Sequence, residues 1–305
     1  MSEVDCLIVG GGPAGLTAAI YVARFRLSVM VIDAGASRAA LIPCTRNHAG
    51  FADGISGIEL LQRMRAQALK FGVRIAHGAV SALDHAHGGP FTAQGDFPAV
   101  AAKAVILATG VSNRRPVMES DVHDAALAGG QLRYCPVCDA YEVIDRTVAV
   151  IGTGAHGARE AAFVRAYTER LTLVAPDGAH DLDPADRERL HRLGVACVDG
   201  PAGDFRLHDG QISLEHAMGR QAFDTIYPAL GSVVHSDLAR RLGADLTEEG
   251  CVRVDAHQRT TIPGLYAAGD VVIGLDQISH AMGEAGVAAT TLRNDLAQRS
   301  EKPET

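Results

Sequence analysis

Residues 6–20 read C-L-I-V-G-G-G-P-A-G-L-T-A-A-I, a short apolar run followed by a glycine-rich turn and an alanine-rich stretch. The apolar run predicts a buried strand, and the alanine-rich stretch predicts a helix that begins at the glycines. A second apolar run, L-S-V-M-V-I-D at 27–33, completes a βαβ unit. This arrangement is typical of a dinucleotide-binding fold.

Three glycines of this turn, Gly10, Gly12 and Gly15, have the spacing G-x-G-x-x-G. The first permits a tight turn, the second lets the backbone approach a pyrophosphate, and the third lets helix and strand pack closely. The helix N-terminus offers unpaired N–H groups and a partial positive charge to phosphates. Asp33 lies 21 residues after Gly12, where a carboxylate can accept a hydrogen bond from a ribose hydroxyl. We therefore predict a dinucleotide site, against the alternative of a purely structural turn.

The same pattern recurs as V-A-V-I-G-T-G-A-H-G-A-R-E-A-A at 148–162, with Gly152, Gly154 and Gly157 in the turn. Its companion strand ends before Ala175, and Asp177 follows two residues later with no arginine or lysine nearby. An NAD site prefers an acid at the strand end, and an NADP site needs arginines for the 2′-phosphate. This second turn is either a nicotinamide nucleotide site or a dinucleotide fold that kept its shape without the ligand.

The bulk properties limit the class of protein. With 305 residues and 32.0 kDa, the chain can form two domains of ordinary size. A net charge of −8 argues against a nucleic-acid or anionic-membrane surface, because both reward basic patches. The chain starts with acidic residues, so no leader is predicted. No apolar run approaches the roughly 18 residues of a membrane span, so no membrane anchor is predicted. We expect a cytoplasmic protein.

Two cysteines lie three residues apart in R-Y-C-P-V-C-D-A-Y at 133–141. A structural zinc site usually needs four ligands, and the thirteen histidines follow no matching spacing, so no metal is predicted. The other cysteines are scattered singly, unlike a secreted disulfide scaffold; they are Cys6, Cys44, Cys197 and Cys251. The 133–141 pair therefore stands apart from them.

The neighbours of this pair favour a redox dithiol over zinc or two inert thiols. Pro136 suits the first turn of a helix, which would place Cys135 at the helix N-terminus and Cys138 one turn later on the same face. The helix dipole lowers the pKa of a thiol at that position. Asp139 could shuttle a proton to a departing thiolate.

Five motifs occur in a fixed order: G-G-G-P-A-G at 10–15, A-T-G at 108–110, C-P-V-C-D at 135–139, G-T-G-A-H-G at 152–157 and G-L-Y-A-A-G-D at 264–270. This order resembles the low-molecular-weight thioredoxin reductase family. The resemblance implies an α/β fold with two Rossmann-like dinucleotide-binding domains, the second inserted into the first. Residues 1–113 and 245–305 would form an FAD-binding domain, and residues 114–244 would form an NAD(P)-type domain that carries the two cysteines.

The resemblance also implies roles for individual residues. The FAD pyrophosphate and adenosine ribose would be held by Gly10, Gly12, Pro13, Ala14, Gly15 and Asp33, and the rest of the cofactor would contact Asn47, Thr109, Gly110, Gly269, Asp270, Gln277 and Ile278. Cys138 would face the flavin, and Cys135 would exchange with the substrate disulfide. Asp139 matches the acid–base residue of the family.

Three departures from the family pattern leave the electron donor open. Members that use NADPH carry a basic cluster after the second strand of the inserted domain, where this chain has A-P-D-G-A-H-D at 175–181. Ala140 replaces a glycine, and Asp276 stands where an arginine is common. The nucleotide could be NADH, NADPH or neither.

The leading hypothesis is an FAD-dependent dithiol/disulfide oxidoreductase. It would pass electrons between the flavin, the Cys135–Cys138 pair and a disulfide of a thioredoxin-like protein or a small molecule. The alternatives are an oxygen-dependent oxidase of small dithiols that does not use NADPH, a reductase driven by ferredoxin or flavodoxin, and a non-enzymatic redox sensor. The resemblance further implies a homodimer.

Overall fold

In the computed structural model, which describes residues 2–85 and 89–301, the first glycine-rich pattern forms the predicted βαβ unit. Strand β1 (Ser2–Val9) leads through the turn into helix α1 (Pro13–Arg24), and β2 (Val29–Asp33) pairs in parallel with β1. The side chains of both strands are largely buried because helices and strands cover the sheet. This burial explains why both strands are continuous apolar runs in the sequence.

Both ends of the chain contribute to one seven-stranded sheet. Its other strands are β3 (Arg74–His77), β4 (Val80–His85), β5 (Phe91–Gly95), β6 (Val100–Leu107) and β16 (Leu265–Ala267). The order is β3-β2-β1-β6-β5-β4, and β16 also pairs with β6. All pairs are parallel except those made by β4 and β5. The carboxyl ends of β1, β2, β6 and β16 therefore meet at one edge.

Helices pack on this sheet, and the start of α2 has a clear local cause in the sequence. Helix α2 (Gly57–Lys70) begins after Ser56, whose hydroxyl accepts a hydrogen bond from the amide of Glu59 at 3.1 Å, as expected of an N-cap. Helix α8 (Ile278–Glu301) packs against α1, and α7 (Asp237–Arg241) is a short helix. Within the described residues, no helix is both long and apolar enough to cross a membrane.

The second glycine-rich pattern builds a separate parallel sheet. Strands β8 (Val148–Ile151), β9 (Leu171–Val174), β10 (Ala196–Val198) and β14 (Thr225–Pro228) lie in the order β10-β9-β8-β14. Helix α5 (Gly154–Val164) follows β8. Helix α6 (Pro184–Arg192) has Asp183 as its N-cap and Pro184 in its first turn. The predicted fold class is confirmed.

Smaller elements complete the chain. They are helices α3 (Ser120–Gly129) and α4 (Pro136–Asp139), the antiparallel strands β11 (Gly203–His208), β12 (Gln211–His216) and β13 (Gly219–Phe223), the paired strands β7 (Val111–Asn113) and β15 (Ser232–Val234), and the 3-10 helices Arg38–Leu41 and Ala140–Val143.

The chain forms two compact units. The first consists of Met1–Leu41, Ser56–Ser112 and Val234–Thr305, and the second of Ile42–Ile55 and Asn113–Val233. The chain thus passes between the units at 41/42, 55/56, 112/113 and 233/234, whereas the sequence predicted domain bounds at 113/114 and 244/245. Met1, 86–88 and 302–305 of the predicted FAD domain lie outside the described residues. The assignment of FAD and NAD(P) to the units stays a prediction.

Candidate active site

The first glycine-rich turn leaves no room for side chains. A Cβ on Gly10 would overlap the carbonyl oxygen of Ala108, and a Cβ on Gly15 would overlap the carbonyl oxygen of Gly10. Gly10 also has a φ of 109°, which favours glycine. Gly12 is the N-cap of α1 and, because it is a glycine, it makes no side-chain cap hydrogen bond to this helix. The turn thus combines close backbone packing with amide donors that a phosphate could use.

Asp33 lies against this turn at the end of β2. Its Oδ1 accepts hydrogen bonds from the amides of Gly11 at 3.3 Å and Gly35 at 3.0 Å. Its Oδ2 lies 3.5 Å from Nη1 of Arg65. A Cβ on Gly11 would overlap the carboxylate, so this glycine is also required by packing. The carboxylate therefore lies directly beside the turn, as a ribose-binding acid must.

The residues after β6 and β16 meet the same turn. A Cβ on Gly10 would lie 3.4 Å from the amide nitrogen of Thr109, and one on Gly269 would lie 2.9 Å from Cβ of Ala14. The Thr109 hydroxyl donates to the carbonyl of His235 at 2.6 Å. The carbonyl of Gly110 accepts from the His235 amide at 3.0 Å. Parallel strands thus bring three predicted segments together at their carboxyl ends.

An ion-pair cluster surrounds Asp270. Nη1 of Arg38 lies 3.2 Å from Oδ2 of Asp270 and 2.8 Å from Oδ2 of Asp276. Burial raises the pKa of Asp270, the Asp276 carboxylate raises it further, and the Arg38 guanidinium opposes both. The neighbouring Gly269 amide donates to Oε2 of Glu284 at 2.7 Å. Arg38 and Glu284 were not predicted from the sequence, although a cation five residues after the end of β2 is a readable signal.

Three other predicted cofactor residues lie in two places. Gln277 and Ile278 stand at the start of α8, where the Gln277 amide donates to the carbonyl of Leu275 at 2.7 Å. Asn47 belongs to the segment Ile42–Ile55 of the second unit, and its Oδ1 accepts from the Thr45 hydroxyl at 2.9 Å. The roles of all three toward a cofactor stay predictions.

Cys135 and Cys138 form a disulfide at the start of α4. Cys135 is the N-cap and Pro136 occupies the first turn, as the sequence predicted. The Cys138 amide lies 3.2 Å from Sγ of Cys135. Both cysteines are half-buried, and Val137 between them is 51% exposed. Because α4 has a single turn, its dipole is smaller than the sequence analysis assumed, and direct N–H contact is the stronger influence on the sulfur.

Asp139 is held from both sides. Nη1 of Arg133 lies 2.9 Å from its Oδ2, and the hydroxyl of Tyr227 donates to its Oδ1 at 2.7 Å. Burial raises the pKa of Asp139, against the opposing effects of Arg133 and Tyr227. The Tyr227 side chain is fully buried, and burial also raises its pKa. Neither partner was predicted from the sequence: Arg133 lies only six residues from Asp139 and was readable, whereas Tyr227 is 88 residues away along the chain.

The chain belongs to a known family. Residues 4–285 match the family described as pyridine nucleotide-disulphide oxidoreductase. This chain is one of its members. A thioredoxin reductase of Streptomyces coelicolor is 31% identical over 308 residues, which cover 95% of this chain and 91% of the relative. A thioredoxin reductase of Listeria monocytogenes is 28% identical over 314 residues, which cover 98% and 96%.

A solved structure gives the same result. The thioredoxin reductase of Streptococcus pyogenes superposes with a TM-score of 0.89 at 28% identity, covering 97% of this chain and 99% of that one. The predicted resemblance is confirmed. This pyridine nucleotide-disulphide oxidoreductase is a thioredoxin reductase-like flavoprotein and an oxidoreductase enzyme.

The family implies FAD, and the first turn of this pyridine nucleotide-disulphide oxidoreductase fits it. The cradle that a Cβ would fill at Gly10 and Gly15 allows close approach of a pyrophosphate, and the uncapped start of α1 offers amides. Asp33 at the end of β2 and Asp270 after β16 supply acceptors for hydroxyl groups at the carboxyl-terminal edge of the sheet. Within the described residues, no group of three or more His, Cys, Asp or Glu side chains could hold a metal ion.

The second turn is also packed closely around its glycines. A Cβ on Gly152 would lie 2.9 Å from Cβ of Ala229, and one on Gly157 would lie 2.7 Å from the carbonyl carbon of Gly152. Gly154 has a φ of 60°. Thr153 is the N-cap of α5, but its hydroxyl accepts a hydrogen bond from the amide of Asp181 at 2.7 Å instead of capping the helix. This contact distinguishes the second turn from the first.

Proposed function

We propose that this protein is an FAD-dependent dithiol/disulfide oxidoreductase. It moves electrons between FAD bound at the first glycine-rich turn, the Cys135–Cys138 pair and an external disulfide. The proposal rests on one observation above all: in a member of this family, the paired cysteines are joined as a disulfide at the start of α4. When bound, FAD would supply a carrier of electron pairs that can exchange them with a dithiol.

The dithiol chemistry requires only residues of the second unit. The thiolate of Cys135 attacks an external disulfide, which forms a mixed disulfide and releases one thiolate. The thiolate of Cys138 then attacks the Cys135 sulfur, which restores the internal disulfide and releases the second thiolate. The Cys138 amide, 3.2 Å from Sγ of Cys135 in the disulfide form, supports this assignment because an N–H donor stabilises a thiolate at Cys135.

Asp139 serves as the acid–base residue in this proposal. Its raised pKa keeps its proton available at higher pH than that of an ordinary aspartate. The proton reaches the thiolate that leaves when the internal disulfide opens. Arg133 and Tyr227 position the carboxyl group and limit the pKa rise, because both favour the ionised form.

The partner is a thioredoxin-like protein or a small molecule with a disulfide or dithiol. The relatives that carry the name thioredoxin reductase support the first class. A partner of either class can reach the cysteine pair, because Cys135 and Cys138 are only half-buried and Val137 between them is exposed. A cytoplasmic homodimer stays a prediction.

The test is a matched pair of variants, Cys138→Ser and Cys135→Ser, in the FAD-loaded protein. We expect each to retain FAD and to lose disulfide turnover by about 1,000-fold or more, the loss typical of removing a nucleophile. Anaerobic reduction of a small disulfide and of a thioredoxin serves as the assay, and absorbance reports FAD content. Cys197→Ser, a change at an unpaired cysteine, is the control. Normal turnover in Cys138→Ser would refute the proposal.

A second direction of electron flow is favoured by the acidic segment A-P-D-G-A-H-D after β9. In that case an external dithiol is oxidised to a disulfide, and oxygen takes its two electrons and two protons to form hydrogen peroxide. This oxidase is identified by two observations: a dithiol bleaches the flavin in the absence of air, and the flavin absorbance then recovers in air with formation of peroxide. If only reduced ferredoxin or flavodoxin bleaches the flavin, the protein is a disulfide reductase driven by that donor.

A further inference from the structure

We infer that the segment Asp177–Asp183 is a built-in cover of the second glycine-rich turn, so that this flavoenzyme does not take a nicotinamide dinucleotide there. The inference concerns the second unit alone and goes beyond the proposed function, which needs only FAD and the cysteines. Four observations carry it: hydrogen bonds that fasten the segment, the atom placed over Gly154, the charge of the segment, and a missing acid.

The cover is fastened to the turn through one hydroxyl group. The amide of Asp181 donates to Oγ1 of Thr153 at 2.7 Å, and Nδ1 of His180 lies 3.4 Å from the same oxygen. Nε2 of His180 lies 3.1 Å from the carbonyl oxygen of Leu173. A neutral imidazole protonated at Nε2 satisfies both ring contacts: it donates to Leu173 and accepts from Thr153. The Thr153 hydroxyl then accepts one hydrogen bond and donates another within the segment.

A second fastening comes from the next strand along the sheet. The amide of His180 donates to Oδ1 of Asp199 at 2.9 Å, just after β10. At the end of the segment, Oδ1 of Asp183 accepts from the amide of Asp186 at 2.7 Å and caps α6. The segment is therefore held at its middle and at its end.

The atom over the middle glycine has the wrong chemistry for a phosphate. A Cβ on Gly154 would lie 3.6 Å from the carbonyl oxygen of Asp181, which can only accept hydrogen bonds. At the first turn, a Cβ on Gly12 would lie 3.2 Å from Oγ of Ser37, a hydroxyl that can donate to a phosphate. The place where a pyrophosphate approaches the backbone is thus met by a donor in one unit and an acceptor in the other.

The charge of the cover acts in the same direction. The segment D-G-A-H-D-L-D contains three aspartates and no lysine or arginine, and all three aspartates are exposed. At the first turn, the corresponding segment A-G-A-S-R ends in Arg38. A dinucleotide carries two phosphates, and like charges within a Debye length of about 8 Å repel it at physiological salt.

The acid that would bind the ribose is absent. Asp33 stands 21 residues after the middle glycine of the first turn, and the position equally far from Gly154 in the second unit is Ala175. Ala175 has a fully buried side chain there, and its amide donates to the carbonyl of Val198 at 3.0 Å. The end of β9 therefore lacks the acid of an NAD site, and the segment Asp177–Asp183 after it lacks the arginines of an NADP site.

The experiment measures binding directly, by isothermal titration of the FAD-loaded protein with NADH and with NADPH. We expect no saturable binding of either nucleotide up to about 1 mM, the upper end of usual KM values. Saturable binding in this range overturns the inference, even if dithiol turnover is normal. Loss of the proposed function would instead appear as failure of a dithiol or disulfide to exchange electrons, which is a separate readout.

An opened variant tests whether the cover is the cause. Thr153→Gly removes the fastening hydroxyl, and Asp177→Asn, Asp181→Asn and Asp183→Asn remove the charges, while asparagine at 183 can still cap α6. We expect the combined variant to bind a dinucleotide at least tenfold more tightly than the parent. The control D121N/E169Q/D209N changes the same number of exposed acids elsewhere in the second unit. Equal, undetectable binding by parent and opened variant, with FAD content and thermal stability intact, overturns the inference.

Discussion

The two glycine-rich turns have the same local pattern and opposite surroundings. Neither α1 nor α5 has a side-chain N-cap hydrogen bond. At the first turn, Asp33 lies at the strand end, and Ser37 and Arg38 follow. At the second, Ala175 is buried and Asp181 bonds back to Thr153. Both turns need their glycines for packing. The pattern G-x-G-x-x-G therefore specifies a strand–helix junction. Whether a dinucleotide can bind at that junction depends on the segment after the second strand.

The largest effect should come from adding one methyl group at the third glycine of each turn. Gly15→Ala and Gly157→Ala both force helix and strand apart, and each should lower the free energy of unfolding by about 1–3 kcal/mol. Only Gly15→Ala should also weaken FAD binding, by about 100-fold, since displaced amides lose their phosphate contacts. FAD content and fluorescence titration measure FAD binding by the two variants. Equal loss of FAD in both would contradict the assignment of FAD to the first turn.

A smaller effect should follow from removing the strand-end acid. Asp33→Ala takes away a charged acceptor and should weaken FAD binding about tenfold, which corresponds to about 1.4 kcal/mol. Asp177→Ala removes an exposed acid of the second unit and should leave FAD binding unchanged. Both variants are compared by equilibrium titration of the apoprotein with FAD. If Asp33→Ala bound FAD normally, the first turn would not hold the adenosine ribose.

The smallest effect should be a shift in pH dependence at the dithiol. Tyr227 donates to the ionised Asp139 and so lowers its pKa; Tyr227→Phe should raise this pKa further. An acid must be protonated to act, so activity falls as pH rises through its pKa. The falling limb should therefore move to higher pH in the variant.

The pH profile of disulfide reduction measures this movement, and Tyr141→Phe is the control because Tyr141 is 75% exposed. FAD content should not change, since the substitution lies in the second unit. A profile that keeps its shape and position in Tyr227→Phe would remove Asp139 from the acid–base role.

Several elements of this fold can be predicted because their causes are local. Helix α6 begins where Asp183 can cap it, and Pro184, which has no N–H, loses no hydrogen bond in the first turn. Helix α4 begins at Pro136 for the same reason. The glycine turns are readable because tight turns and close packing exclude other residues. The one-turn length of α4 was not readable, because a 3-10 helix replaces its continuation from Ala140 onward.

By itself, the sequence determined two βαβ units, the position of the cysteine pair and membership of a flavoenzyme family. The causes of these features lie within a few residues of each other, in steric limits, capping and apolar spacing. Other contacts depend on the tertiary fold: Tyr227 donates to Asp139, Arg38 bridges Asp270 and Asp276, and the amide of Asp181 donates to Thr153. Those contacts join residues 28 to 238 positions apart, and their partners are set by how the strands are ordered in the sheets.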